Sequence, residues 1–273
     1  MTTTPRPRSA RARHRPWPSC RQCCLIALDL GSARTRAWMP GHGLVLDVPT
    51  VTFGDGATYP IRRGTIVDTP GAARMLDRML GHRLPHSTRP LLILTAPVLG
   101  GVAFRTEART AVETLRPHTV LTIPAARAVA VAAGVDLTRP LLVVDIGAHV
   151  TDVVLLTDGA VTDARRTTLG TSDLDNLTPP AQITDAVVAM VATMLEQDHT
   201  PQTHDALQRG VLLAGGGALR PDITRRLTTQ LSDSVKPVPT PHTAAVRGAA
   251  TLLQAAHTHP STTVISQTLG HPH

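Results

Sequence analysis

Ala27-Leu-Asp-Leu-Gly-Ser-Ala-Arg-Thr35 has a pattern that occurs a second time in Val144-Asp-Ile-Gly-Ala-His-Val-Thr-Asp152. An apolar run that predicts a β-strand, Leu25–Leu30 or Leu141–Ile146, leads into each Asp-apolar-Gly turn. One offset of 116 residues relates the matched pairs, which are Asp29 and Asp145, Gly31 and Gly147, Thr35 and Thr151, and Gly43 and Gly159. A repeat on this scale predicts a duplicated domain, because solenoid repeats have periods of about 20–50 residues.

Predicted strands and helices alternate along the rest of the chain. Further strands are expected at 36–39, 44–48, 91–95, 153–156 and 211–214, and helices at 105–115, 125–134, 222–231 and 244–256. One apolar helix face, with a period of 3.6 residues, is predicted from Ile183, Val187, Val188, Val191, Met194 and Leu195. This alternation predicts α/β layering.

The two Asp-apolar-Gly turns have residue types that suit a magnesium polyphosphate. Glycine lets backbone N–H groups approach phosphate oxygens, and a hairpin turn can arrange several such donors around an anion. A carboxylate at the strand end can hold Mg²⁺, largely through water. Asp29 and Asp145 are therefore the candidate magnesium-associated carboxylates, and no residue is assigned to catalysis. A single turn of this kind is usually only structural, so the prediction rests on the matched pair.

A third glycine-rich stretch, Leu213-Ala-Gly-Gly-Gly-Ala-Leu219, follows the strand predicted at 211–214. Three consecutive glycines would let a flat ring or a ribose lie close to the backbone. The alternative interpretation is a flexible loop.

The positive charge of the chain is concentrated near its beginning. Lys and Arg outnumber Asp and Glu by 27 to 20, but residues 1–24 contain six arginines and no acid, which leaves 21 basic and 20 acidic residues elsewhere. We interpret residues 1–23 as a disordered, solubilising arm and residues 259–273 as a flexible tail. Contact of the arm with anionic lipid or with nucleic acid, through counterion release, is the alternative. Aromatic residues are only 2% of the chain, so stacking on single-stranded nucleic acid is not expected, and no specific nucleic acid is predicted as a partner.

Cysteine usage and hydropathy predict a cytoplasmic location. Cys20, Cys23 and Cys24 are odd in number and clustered, so they give no disulfide framework. No apolar run reaches the length of about 18 residues that a membrane span needs, and the first 19 residues lack the apolar segment of a secretory signal. Histidines such as His82, His242 and His257 are assigned to solvated loops or tails rather than to a metal site.

Five motifs, in the family's order, make the chain resemble MreB, the bacterial rod shape-determining member of the actin, Hsp70 and sugar kinase superfamily. Residues 27–35 resemble the first phosphate motif, 41–50 and Arg63-Gly-Thr-Ile-Val-Asp68 resemble the segments that follow it, 144–152 resemble the second phosphate motif, and 213–219 the adenosine motif. The resemblance extends from Leu25 to about Ala256. It implies an actin-like ATPase fold of two duplicated RNase H-like subdomains, at residues 24–135 and 136–258.

Two connections are shorter than the resemblance implies. Between Thr50 and Tyr59 the chain has no room for the small outer subdomain of the family, and between Leu169 and Val211 there is room for a helix but not for the other outer subdomain. We therefore expect both outer subdomains to be reduced or missing. The family uses the second one for nucleotide contacts and for contacts between filament subunits.

The resemblance implies that ATP or ADP binds with Mg²⁺ in a cleft between the two subdomains. The candidate nucleotide-binding residues are Asp29, Gly31, Ser32, Ala33, Arg34, Thr35, Asp145, Gly147, Ala148, His149, Thr151, Gly215, Gly216, Gly217, Ala218 and Leu219.

Departures from the family's pattern predict weak or absent ATP hydrolysis. Arg34 stands where the first turn usually has Asn, and Ala148-His-Val150 replaces Gly-Gly-Thr in the second turn. Thr122 and Ile123 precede Pro124, where relatives carry the acidic residue that orients the attacking water. An isoleucine cannot position water or accept a proton.

The leading hypothesis is an ATP-binding cytoskeletal or scaffold protein for cell shape or cell-wall organisation, and at most a weak ATPase. The implied partners are copies of itself or a full-length MreB-like protein, and the cell-wall synthesis machinery. Two alternatives stay open. The first is a pseudo-ATPase that binds no nucleotide and partners a full-length relative, and the second is a small-molecule kinase of the same superfamily.

Overall fold

The computed structural model describes residues 24–53, 56–84, 89–231 and 235–258. The strands, numbered along the chain, are β1 (Leu25–Leu30), β2 (Arg34–Met39), β3 (Gly43–Pro49), β4 (Thr52–Phe53), β5 (Ala57–Thr58), β6 (Ile61–Arg62), β7 (Thr65–Ile66), β8 (Leu91–Ala96), β9 (Thr119–Pro124), β10 (Leu141–Ile146), β11 (Thr151–Thr157), β12 (Ala160–Thr167), β13 (Val211–Ala214) and β14 (Val235–Pro237). The α-helices are α1 (Thr69–Leu80), α2 (Gly101–Val112), α3 (Ala125–Ala132), α4 (Pro180–Gln197), α5 (Gln202–Arg209), α6 (Pro221–Gln230) and α7 (Ala244–Thr258). The predicted arm (1–23) and tail (259–273) lie outside the described residues.

Two five-stranded sheets have the same topology. Their strand orders are β3-β2-β1-β8-β9 and β12-β11-β10-β13-β14. In each sheet the first three strands along the chain are antiparallel, and the other two are parallel to the central strand or to each other. The central strands β1 and β10 are buried along most of their length because both faces of each sheet are covered. The predicted α/β fold with a duplicated domain is confirmed.

One face of each sheet is covered by its own pair of helices. Helices α1 and α2 pack on the first sheet, where Leu28, Leu76 and Phe104 share one apolar cluster. Helices α4 and α6 pack on the second sheet, where Val144 and Leu227 share another. Burial of side chains of this size stabilises the fold by about 1.5–3 kcal/mol each, so each half has a hydrophobic core of its own.

Helices α3 and α7 pack against each other and connect the two halves. A Cβ atom at Gly248 would lie 1.8 Å from the carbonyl oxygen of Ala128, so only glycine permits this approach of the two backbones. Helix α7 also covers the first sheet, where Leu253 packs in one cluster with Leu25 and Ile93. The division into 24–135 and 136–258 stays a prediction, and the structure adds that the last helix of the second range lies on the first sheet.

Most predicted elements are present, with shifted ends. The strands at 25–30, 141–146 and 211–214 have the predicted bounds. The helix expected at 105–115 is α2, which begins earlier, at Gly101, and is followed by a short 3-10 helix, Glu113–Leu115. On α4, Leu195 is 37% exposed whereas Met194 is fully buried, so the prediction that Leu195 belongs to the buried face is wrong.

The two short connections and two histidines differ in detail from the predictions. The segment between Leu169 and Val211 holds two helices, α4 and α5, where one was expected, and β4 and β5 pair as a small hairpin in the other connection.

His257 is a buried residue of α7, only 4% exposed, and His242 is half-buried in the 3-10 helix Pro241–Thr243. The interpretation of these two as solvated loop or tail residues is wrong, because both helices pack against the body of the protein.

Among the described residues, no helix combines the length and apolar character needed to cross a membrane.

Candidate functional site

The first Asp-apolar-Gly turn joins β1 to β2. The Gly31 N–H donates to the Arg34 carbonyl at 3.1 Å, and a Cβ at Gly31 would lie 2.7 Å from that oxygen. Two threonines hold the turn from beneath, since the Thr50 hydroxyl donates to the Gly31 carbonyl at 2.6 Å and lies 2.8 Å from the Thr35 hydroxyl. This glycine is therefore required by the turn itself.

The second turn, between β10 and β11, has the same hydrogen bond. The Gly147 N–H donates to the Val150 carbonyl at 2.9 Å. The segment after β12 holds this turn, because the N–H groups of Thr171 and Ser172 donate to the carbonyls of Gly147 and Ala148 at 3.0 and 2.8 Å. The two turns thus have one geometry, and each is fixed by a threonine-containing segment that follows the hairpin.

The glycines after β13 have different roles. Gly215 has a φ of 81°, and a Cβ there would lie 2.4 Å from an Asp145 carboxylate oxygen. A Cβ at Gly217 would lie 2.3 Å from the Ile146 side chain, so this glycine is needed for packing. A Cβ at Gly216 would meet nothing within 4 Å. Gly216 is the member of the triplet that leaves open space for a ligand.

All three glycine segments border one cleft of about 300 Å³ between the two halves. Eleven of the predicted site residues line it: Asp29, Gly31, Ser32, Ala33, Arg34, Asp145, Gly147, Ala148, His149, Gly215 and Gly216. The structure places the other five candidates outside this lining: Thr35, Thr151, Gly217, Ala218 and Leu219.

Physical reasons separate these five from the cleft. Thr35 and Thr151 are fully buried under the turns, and the Thr151 hydroxyl donates to the Leu169 carbonyl at 2.8 Å. Gly217 packs on Ile146, Ala218 is buried in the apolar cluster of the second sheet, and Leu219 is 55% exposed. Arg34 borders the cleft, but its guanidinium pairs with Asp47 at 2.5 Å.

Several cleft residues were missed by the sequence reasoning. They come from the strands, helices and turns around the cleft, and include Arg36, Gly64, Thr95, Pro97, Phe104, Val129, Asp152, Arg166, Thr171 and His242. Arg36 and Asp152 could have been found, because the 116-residue offset also relates this pair. Nothing in the sequence pattern indicates the others, since tertiary packing brings them to the cleft.

Three carboxylates in the cleft have unequal partners. Asp29 accepts a hydrogen bond from the Thr95 hydroxyl at 2.7 Å and lies 3.7 Å from the Arg36 guanidinium. Asp152 forms a two-bond pair with Arg166, at 2.6 and 2.8 Å. Asp145 has no ion pair among the described residues.

Burial, together with the neighbouring charges of Asp152 and Asp29, raises the pKa of Asp145 to about 7, although Arg36 and Arg166 lower it. Both aspartates of the repeat line this one cleft. Asp145 is consequently the carboxylate for which a bound cation would relieve the largest electrostatic penalty.

The residues present fit a magnesium nucleotide. The described residues include no cluster of three or more His, Cys, Asp or Glu side chains that could hold a metal ion alone. Asp29 and Asp145 both line the cleft and are the carboxylates that could hold Mg²⁺, largely through water. Two ring nitrogens, Nδ1 of His149 and Nδ1 of His242, are buried and have no hydrogen-bond partner among the described residues. Both histidines line the cleft.

Two sheets of one topology, with duplicated glycine turns facing each other across a cleft, define the actin-like ATPase fold. The family described as MreB/Mbl protein matches residues 56–178 and 180–261, more than half of the chain. The chain belongs to the MreB/Mbl family. No curated protein sequence matches it significantly.

Solved structures with the same fold cover most of this chain. MreB5 of Spiroplasma citri bound to ADP is 16% identical, with a TM-score of 0.75 over 86% of this chain and 97% of its own. The same protein bound to AMPPNP is 16% identical, with a TM-score of 0.76 over 87% and 98%. A MamK double helical filament is 15% identical, with a TM-score of 0.68 over 84% and 98%. At these identities the likeness is one of fold.

Proposed function

We propose that this chain binds ATP or ADP, together with Mg²⁺, in the cleft between its halves, and that it acts as an MreB-like cytoskeletal or scaffold protein in cell shape or cell-wall organisation. The observation that carries the proposal is that a glycine turn from each half lines one cleft, together with the carboxylate of Asp145, which has no ion pair among the described residues. Crystal structures of a fold relative with ADP and with AMPPNP support it.

Phosphate groups would bind the backbone N–H groups of the two turns, and the open side of Gly216 would admit the nucleoside. Asp29 and Asp145 would hold Mg²⁺, largely through water. The ion would neutralise phosphate charge and the charge of Asp145. Arg36 and Arg166 keep the other carboxylates compensated, so that the cleft does not repel the anion.

Hydrolysis is proposed to be at or near background. Ile123 is 8% exposed and packs in the apolar cluster beneath α7, and neither it nor Thr122 borders the cleft. The position that would orient water in relatives therefore supplies an apolar side chain to the core. Self-association is proposed from the filament formed by MamK, and the cell-wall synthesis machinery is proposed as a partner from family membership.

Equilibrium binding of Mg-ADP and Mg-ATP tests this function. We expect Asp145→Asn to weaken both about tenfold to a hundredfold, the usual scale for groups that orient a bound metal. The control is Glu196→Gln, which removes an exposed carboxylate on α4. The absence of a thermal shift at millimolar Mg-ATP would favour the non-binding partner protein, and ATP turnover that a sugar or acyl compound stimulates would favour a kinase.

A further inference from the structure

The segment Arg63-Gly-Thr-Ile-Val-Asp68 is not explained by the nucleotide proposal, because only Gly64 of it borders the cleft. Its ends have local roles. Asp68 caps α1 by accepting from the Gly71 N–H at 2.8 Å, and Ile66 is buried in the first core. Arg63 and Gly64 form the two-residue turn between β6 and β7, with φ values of 45° and 76°. Both residues of a type I′ hairpin turn require positive φ.

A positive φ is uncommon for residues other than glycine, asparagine and aspartate. The backbone strain at Arg63 therefore needs a compensating contact. The Arg63 side chain extends from the first half to the second half. It donates to the carbonyls of His149 (3.3 Å) and Thr168, and to the Asp173 carboxylate at 2.7 and 3.3 Å. One guanidinium thus binds three groups of the opposite half.

All three acceptors belong either to the second phosphate turn, which is residues 147–150 between β10 and β11, or to the segment 168–173 that holds this turn. His149 is in the turn itself. Asp173 also accepts from the Gly170 N–H at 2.9 Å, and a Cβ at Gly170 would lie 2.4 Å from the backbone of Ala148. Arg63 therefore fixes the position of the turn both directly and through the segment 168–173.

The electrostatics favour an ionised pair. Burial opposes ionisation of Asp173, but hydrogen bonds from Arg63 and Gly170 and the charge of Arg63 together lower its pKa. The hydrogen bond with Asp173 raises the pKa of Arg63.

The same hairpin also contacts the first phosphate turn. The Gly64 N–H donates to the Ser32 hydroxyl at 2.8 Å, and a Cβ at Gly64 would lie 3.2 Å from the Arg166 guanidinium. The tip of the hairpin therefore contacts both phosphate turns. Gly64 contacts the first turn at Ser32, and Arg63 contacts the second turn at His149.

We propose that Arg63 is a positioning residue, supplied by the first half, that holds the second phosphate turn in its nucleotide-binding geometry. The proposal rests on the proposed nucleotide function. Loss of the Arg63 side chain releases residues 147–150 and 168–173 from the first half, so the turn has to be reordered when phosphate binds. Nucleotide affinity falls as a result, although Arg63 does not border the cleft.

The test uses the full chain with two measurements. Hydrogen exchange of the unliganded protein reports the N–H groups of Gly147, Gly170, Thr171 and Ser172, which are hydrogen-bonded in this region. Mg-ADP binding reports the consequence for affinity. We expect Arg63→Ala to accelerate exchange at 147–150 and 168–173 and to weaken Mg-ADP roughly fivefold, the scale of a charge-assisted contact that is partly exposed.

Matched variants distinguish loss of the Arg63 contact from strain in the turn and from loss of positive charge in general. Arg63→Gly also removes the side chain but suits the positive φ, so an equal loss with Arg63→Gly excludes a strained turn as the cause. Arg62→Ala removes the neighbouring exposed arginine of the same hairpin, and we expect it to match the wild type. Asp173→Asn should reproduce part of the loss, and combining it with Arg63→Ala should add little, because both act on one contact.

Local exchange at 147–150 in Arg63→Ala that equals that in Arg62→Ala would overturn the proposal. So would faster exchange with unchanged Mg-ADP affinity. If the wild-type protein itself fails to bind Mg-ADP, the nucleotide function is wrong, and the exchange measurement still decides whether Arg63 holds the turn.

Discussion

The two halves of the molecule share a scaffold but differ in charge at one equivalent position. Arg36 and Asp152 are separated by the same 116 residues as the repeat, and each lies on the second strand of its sheet. In the strand registers, Arg36 is opposite Asp29 and Asp152 is opposite Asp145. The duplicated carboxylates therefore face a cation in the first half and a second anion in the second half.

This difference gives the two carboxylates different chemistry. The charge of Asp29 is compensated by Arg36, whereas Asp145 is left with a pKa of about 7 because it is buried and because Asp152 is beside it. The cation of the second half, Arg166, comes from β12 and pairs with Asp152 instead. A repeated backbone can thus present one compensated carboxylate and one carboxylate that lacks a cation.

The largest expected effect is on the stability of the unliganded protein. The pKa of Asp145 is raised in the folded state, so folding favours the protonated carboxyl group. The stability that this group contributes is fully present below about pH 4 and is lost as the pH rises towards 7. Asp145→Asn should therefore be more stable than the wild type by about 2 to 3 kcal/mol at pH 8 and by little at pH 4. Urea unfolding at both pH values measures this.

The matched control is Asp29→Asn, which removes the carboxylate that Thr95 and Arg36 contact. We expect no gain of stability at pH 8 from that variant. A gain equal to that of Asp145→Asn would mean that the two halves do not differ as described.

A smaller effect is expected when the second half loses its extra anion. Asp152→Asn removes a like charge from beside Asp145 and frees Arg166, so the pKa of Asp145 should fall by about one unit. A carboxyl-carbon NMR titration of the unliganded protein measures this value directly. An unchanged midpoint would assign the raised pKa to burial and to Asp29 instead of Asp152.

The smallest expected difference concerns the two turns. A Cβ at Gly31 would lie 2.7 Å from the Arg34 carbonyl oxygen, whereas a Cβ at Gly147 would lie 3.1 Å from the Val150 carbonyl oxygen. Gly31→Ala should therefore destabilise the protein more than Gly147→Ala, by about 1 kcal/mol. Paired unfolding curves test this order, and the reverse order would show that the second turn is the tighter one.

The fold and both turns could be predicted because their signals are local in the sequence. Apolar strands followed by an aspartate and a glycine identify β1 and β10, and the common offset identifies the duplication. The contributions of Arg166, His242 and Gly64 could not be predicted, because a strand pairing, a 3-10 helix and a hairpin bring them to the cleft. Ligand contact was also predicted for Gly217, which packs on Ile146, because a sequence does not distinguish a glycine that admits a ligand from one that admits a side chain.

The position of α7 has a consequence for dividing the molecule. The segment that covers Leu25 and Ile93 comes from the end of the described chain, after the whole second sheet. A fragment that stops at residue 135 would expose this face to water, although it contains every strand of the first sheet. A split version of the protein should accordingly keep residues 244–258 with the first piece.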